Sequence, residues 1–134
     1  MFTDTRFAPQ ALALLRIVSA FLFLQHGTAK FFGMPYVAMF DNLQVASLMG
    51  LAGALEIVGG LLLLIGLFTR PTAFVLSGFM AVAYFLAHAT KGGLLTPILN
   101  GGELAIMFSF VFLFISAAGG GAWSADGARA RSAG

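Results

Sequence analysis

A chain of 134 residues that is 60% hydrophobic and only 9% charged is far from the make-up of a soluble domain, in which about a quarter of residues are charged. It reads as a single integral membrane domain covering residues 1–134, with little left over for a separate soluble module. The absence of cysteine excludes a disulfide framework, a thiol relay or an iron–sulfur centre held by this chain alone, and a net charge of +2 scattered over helix ends excludes a nucleic-acid-binding patch.

In chain order, residues 1–9, MFTDTRFAP, form a short polar arm without the cleavage pattern of a signal peptide. The first span is expected at about residues 10–32, which meets the ~20 residues that an apolar core about 30 Å thick requires. It is the stretch around which the others can be read, because Arg16, Gln25, His26 and Lys30 interrupt an otherwise lipid-soluble helix. Counted at helical spacing, Arg16, Ser19, Phe23, His26, Gly27 and Lys30 share one face. Ionisable groups at membrane depth usually point into a bundle or a wet cavity, so this polar face is the default functional hypothesis.

Gly33, Met34 and Pro35 end that span, and residues 36–47, with Asp41 and Asn42, read as an interfacial loop. A second span is expected at about 48–68 and a third at about 71–90, joined by the tight Thr69-Arg70-Pro71 turn. The breaker-rich GGLLTPILNGG, residues 92–102, leads to a fourth span at about 101–118. The tail, 119–134, carries Trp123 at an interfacial position and is expected to be disordered beyond it.

These elements predict an all-α fold: a four-transmembrane-helix up-down bundle made of two hairpins. An internal repeat supports it, since FLQHGTAK (residues 23–30) and FLAHATK (residues 85–91) share Phe-Leu-x-His, then Thr, then Lys, and each return helix bears one glutamate beside glycine and alanine, Glu56 and Glu103. Arg6, Arg70, Arg129 and Arg131 fall on one side against Lys30 and Lys91 on the other, which predicts both termini in the cytoplasm of a multi-pass plasma (inner) membrane protein.

Several pairings follow from depth. Arg16 is expected to reach Glu56, either as a structural ion pair fixing helix register or as part of a site. His26, His88 and Glu103 are expected at one level near the outer end, where two imidazoles and a carboxylate suit a quinone pocket or proton exchange first, and haem or a metal ion second. No dedicated metal-ligand set is assigned. Tyr84 shares a helical face with Ser77, His88 and Lys91, and Gly53 and Gly60 flank Glu56 on a small-residue face. Asn100 and Glu103 also have capping-box spacing, and the two lysines have the usual snorkelling position at span ends.

LLRIVSAFLFLQHGTAKFFGMP, GALEIVGGLLLLIGLFTRP, and NGGELA with GGGAWS together resemble the DoxX family of small four-helix membrane proteins across nearly the whole chain. That resemblance implies membrane redox chemistry linked to quinone, and it marks Arg16, His26, Lys30, Glu56, His88 and Glu103 as functional positions. On this reading His26, His88, Glu56 and Glu103 are the proton-handling, catalytic candidates. Arg16, Gln25, Lys30, Tyr84 and Lys91 are the binding candidates, with the lysines drawing a small anion such as a sulfur oxyanion to the mouth. The chain has no evident electron carrier of its own, so a bound quinone, a protein partner or further copies of the chain are implied. The alternatives are a non-catalytic accessory subunit that stabilises an oxidoreductase partner and, more remotely, a small transporter working as an oligomer.

Overall fold

The computed structural model describes residues 5–134, so the first four residues of the predicted arm lie outside the described residues. The described chain is all-α. It divides into two compact units, Met1–Thr69 with Gly120–Gly134, and Arg70–Gly119.

In the first unit, α1 spans Ala8–Phe32, opens on Pro9 at a first-turn position whose amide needs no partner, and closes on Gly33 at φ +62°. After a single 3₁₀ turn at Ala38–Phe40, α2 spans Leu48–Ile65, its first turn capped by the Ser47 hydroxyl, which accepts from the Gly50 N–H. It ends in a Schellman turn: Gly66 sits at φ +71°, and the Leu67 N–H reaches back 2.9 Å to the Leu62 carbonyl. No other residue suits position 66, because an added Cβ would lie 2.6 Å from Ser124 and 3.0 Å from the Arg16 guanidinium carbon.

Glycine also sets how closely α1 and α2 approach. A Cβ at Gly27 would stand 2.7 Å from Ile57 and 2.9 Å from the Gly53 carbonyl, and one at Gly60 would meet Leu24 at 3.1 Å. With no side chains there, the backbones close up and bring the polar stripe of α1 against Glu56. The outward side of α1 presents Leu14, Val18, Phe21 and Leu22, an apolar surface suited to lipid.

The second unit is built on α3, Thr69–Gly92, whose first residue belongs to the first unit. Its residues Tyr84–His88 form a π-helical turn. A single turn, α4, follows at Pro97–Asn100, and then α5 at Glu103–Ala118. Two serines clasp α3 to α5, Ser77 Oγ donating to the Ser109 carbonyl at 2.7 Å and Ser109 Oγ to the Ser77 carbonyl at 3.0 Å. Leu76, Phe108, Phe112 and Ile115 are buried between the polar ends.

Among the described residues three helices, α1, α2 and α3, are long and apolar enough to cross a membrane, and α5 is a shorter apolar helix. The tail departs from expectation. Residues Ala125–Ser132 form a helix, α6, started by the Ser124 hydroxyl accepting from the Gly127 N–H, with Asp126 in its first turn and Arg129 and Arg131 in its last. A serine cap with charges matched to the helix dipole is the signal that the disorder expectation overlooked.

Candidate functional site

Arg16 is fully buried and does not pair with Glu56. All five of its N–H donors go to backbone carbonyls: Nε to Gly120 at 2.8 Å, Nη1 to Leu63 at 2.6 Å and Leu64 at 2.7 Å, and Nη2 to Trp123 at 2.9 Å and Ala122 at 3.5 Å. The expected ion pair is thus corrected to a carbonyl crown. Its physical basis is that the last-turn carbonyls of α2 carry the negative end of the helix dipole and keep lone pairs to spare, the Leu63 carbonyl accepting from the Gly66 N–H as well, so they can hold a cation without a carboxylate. The GGGAWS loop supplies the rest of the crown and is itself tied down, the Ala122 N–H donating to the Pro9 carbonyl at 2.9 Å. Behind it, the Asp126 carboxylate accepts from the N–H groups of Phe68 and Thr69 at 2.9 and 2.8 Å. Burial pushes the Asp126 carboxyl up, but the amides of Thr69 and Phe68 and the nearby Arg129 outweigh it and hold the group below its ordinary value.

Glu56 is taken by Lys30. The ammonium lies 2.9 and 2.7 Å from the two carboxylate oxygens, and the side chains are only 6% and 7% exposed. Lys30 therefore does not snorkel. Its stem runs past Gly53, where an added Cβ would be 3.3 Å from Lys30 Cδ, and its head lies 4.9 Å from the centre of the Phe40 ring. His26 is one helical turn before Lys30 on α1 and within electrostatic reach of Glu56. Its Nδ1 lies 3.0 Å from the Leu22 carbonyl. That contact makes Nδ1 the N–H of the neutral ring and leaves Nε2 as its basic nitrogen. Gln25 is half-buried on the same helix. The first unit thus brings His26 and Lys30, in the last turns of α1, to Glu56 in the middle of α2, and holds Arg16 against the last turn of α2.

In the second unit Tyr84 and Asn100 are both buried. Tyr84 Oη donates to the Leu94 carbonyl at 2.7 Å, Asn100 Nδ2 donates to Tyr84 Oη at 3.1 Å and to the Gly93 carbonyl at 2.9 Å, and Asn100 Oδ1 accepts from the Gly102 N–H at 2.8 Å. His88 Nδ1 sits 3.2 Å from the Asn100 carbonyl, with its ring stacked on that of Tyr84. Glu103 is exposed as the first residue of α5, whose N-cap is Gly102, and Lys91 is exposed at the end of α3. The alternative reading of Asn100 and Glu103 as a capping box does not hold: Asn100 closes the turn before the helix, and Glu103 is the first residue of α5. Residue spacing alone did not reveal the π-turn or the Tyr84–Asn100 bond. The signal was an asparagine between two glycine pairs, a residue type that bonds the backbone locally. Among the described residues no group of three or more His, Cys, Asp or Glu side chains comes together.

A family model described as DoxX matches residues 11–89, the stretch that carries Arg16, His26, Lys30, Glu56, Tyr84 and His88. The chain belongs to the DoxX family. Asn100 and Glu103 lie beyond the matched segment of this DoxX protein. It is also 50% identical over 123 residues, 90% of this chain and 92% of the relative, to an uncharacterized protein of Haemophilus influenzae. No solved structure matches it. As a DoxX member with three membrane-length apolar helices, it is a helical membrane protein.

Proposed function

We propose that this DoxX protein is a quinone-linked subunit of a membrane oxidoreductase, in which His26, Lys30 and Glu56 handle the proton that accompanies electron transfer. It would be a four-span, up-down helical protein of the plasma membrane with both termini cytoplasmic and this polar set near the outer end. The single observation that carries the reading is the Lys30–Glu56 pair, sealed within the first hairpin one turn from a histidine. Ionisable side chains at membrane depth mark proton or substrate pathways far more often than they serve stability, since a buried pair adds little or nothing over apolar packing.

A quinone ring needs an N–H donor for its carbonyl beside an apolar, partly aromatic wall. The residues fit it: the Lys30 ammonium has three N–H groups, the Glu56 oxygens are two partners for them, the Phe40 ring lies 4.9 Å from the ammonium, and Phe31 faces Gly53 beside the Lys30 stem. Lys30 and His26 would hold the group, which when bound supplies two-electron, two-proton chemistry. The electron acceptor would be supplied by a partner protein, the chain having no cysteine to hold an iron–sulfur centre. His26 Nε2 would take the proton and pass it toward Glu56, whose carboxylate becomes a neutral acid on accepting it while the positive charge stays on Lys30. The anion-drawing role falls to exposed Lys91, since the charge of Lys30 is matched by Glu56.

The test is a lipid extract and absorption spectrum of the purified protein, followed by titration with added quinone. Quinone retained by the wild type and lost in His26→Ala supports the reading. A quinone-free protein that binds none on addition overturns it and favours the accessory-subunit reading, which the closed hydrogen bonding of Arg16 and of the Lys30–Glu56 pair would suit.

A further inference from the structure

Among the described residues two other than glycine take left-handed backbone, Phe68 at φ +49° and Trp123 at φ +55°. Both have their main chains tied inward: the Trp123 carbonyl accepts from Arg16 Nη2, and the Phe68 N–H donates to Asp126. Both also turn their rings outward, Phe68 53% and Trp123 64% exposed, although a tryptophan turned to water gains nothing in a soluble setting. Phe68 follows the end of α2, and the Trp123 loop is bonded to Pro9 at the start of α1. The two rings therefore rim the same end of a membrane-length hairpin, the depth at which aromatic side chains meet headgroups.

Beside them lies a cation set with no acid facing outward among its own residues. Arg129 and Arg131 are exposed on α6, and the Arg129 guanidinium lies 5.4 Å from the centre of the Phe68 ring. The one carboxylate of α6, Asp126, points inward to the amides of Phe68 and Thr69. A guanidinium that stacks on an aromatic ring keeps its edge donors for a phosphate, which it can hold in a two-pronged geometry.

We propose that α6 with Phe68 and Trp123 forms a binding surface for the phosphate headgroup of anionic glycerophospholipid, and that the lipid holds closed the loop that crowns Arg16. Net positive charge beside headgroup-level aromatics argues for the anionic bilayer surface as the occupant, because such surfaces attract each exposed arginine within a Debye length.

Trp123 is the single tryptophan of the chain, so it reports on this surface without labelling. The full-length protein is placed in bilayers mixing phosphatidylglycerol and phosphatidylcholine, with bromine on the chains of one lipid or the other, and quenching of Trp123 is compared. The expected result is about five- to thirtyfold preference for brominated phosphatidylglycerol, as attraction by two arginines allows. Arg129→Gln with Arg131→Gln should bring it close to one, and Arg131→Gln alone, which spares the Phe68 stack, to an intermediate value. Added inorganic phosphate should leave the preference unchanged, which identifies the lipid and not a free anion as the ligand. Equal quenching by both lipids in the wild type would overturn the proposal. So would absence of quenching by either, which would mean that water or a protein covers Trp123.

Discussion

The two hairpins, α1 with α2 and α3 with α5, carry the same short run of Phe-Leu-x-His, Thr and Lys and treat their charges in opposite ways. In the first, Lys30 and Glu56 are buried against each other. In the second, Lys91 and Glu103 are exposed, and the buried polar work is done by neutral Tyr84 and Asn100. Helix position separates them. Glu56 lies well inside α2, beside Gly53, and opposite a helix that Gly27 allows to come close; Glu103 is the first residue of α5. A carboxylate at a helix start is at home at the surface, where free amides and the helix dipole favour it. One buried in the middle of a helix must find a cation. At their other ends the hairpins agree, since in each an arginine covers the last carbonyls of the return helix: Arg16 on Leu63 and Leu64, Arg70 on Ser116, Ala117 and Ala118.

The largest effect is expected at that shared device. Arg16→Met removes five hydrogen bonds from the crown, leaving the Leu63 carbonyl with the Gly66 N–H alone, and since an unmade buried bond costs about 1–3 kcal/mol the variant should fail to accumulate or should melt far below the wild type in detergent. Arg70→Met, at an exposed arginine, should melt within a few degrees of it. A crown that tolerated Arg16→Met would break the parallel.

Next come the charges themselves. Lys30→Met or Glu56→Gln leaves a buried partner unmatched and should cost about 3–5 kcal/mol, whereas Lys91→Met and Glu103→Gln should stay within about 0.5 kcal/mol. Denaturation in mixed micelles measures all four.

Packing gives a smaller contrast. Gly27→Ala drives a methyl to within 2.7 Å of Ile57 and 2.9 Å of the Gly53 carbonyl and should cost about 1–3 kcal/mol. Gly78→Ala, with nothing within 4 Å of the added Cβ, should be neutral or stabilise by up to about 1 kcal/mol, because alanine suits a helix better.

The smallest effect is acid sensitivity of the tail. The folded-state value of Asp126 lies below its unfolded value, so it stabilises the fold above the unfolded value and loses that contribution as pH falls through the folded one. Trp123 emission should therefore shift on acidification in the wild type, and Asp126→Asn should remove that part of the shift.

Much of this architecture was legible in residue patterns. A helix was expected at about 10–32 and one runs over Ala8–Phe32, because glycine and proline at 33–35 stop a helix unambiguously. Glu56 was expected inward because Gly53 and Gly60 share its face, and it is buried. Its partner was not legible. Depth along α1 pointed to Arg16, with Lys30 left to snorkel at the span end, and the outcome depends on the GGGAWS loop, more than a hundred residues from Arg16 in sequence, satisfying the guanidinium. The partner of Asn100 was not legible for a related reason: its spacing from Glu103 offered a helix cap as an alternative, and only the π-turn that brings Tyr84 to it reveals its real partner. Long-range backbone acceptors leave no periodic trace in a sequence.

The central claim is that Glu56 answers to Lys30 and Arg16 does not. Arg16 bonds carbonyls seven and eight residues along α2 from Glu56, about 10 Å by helical rise. Two double-mutant cycles on thermal or denaturant stability decide it, Lys30→Met with Glu56→Gln and Arg16→Lys with Glu56→Gln. The structure predicts that the first double variant is far more stable than the sum of its single losses implies, and that the second is additive within about 0.5 kcal/mol. Strong coupling in the Arg16 cycle with additivity in the Lys30 cycle would contradict it.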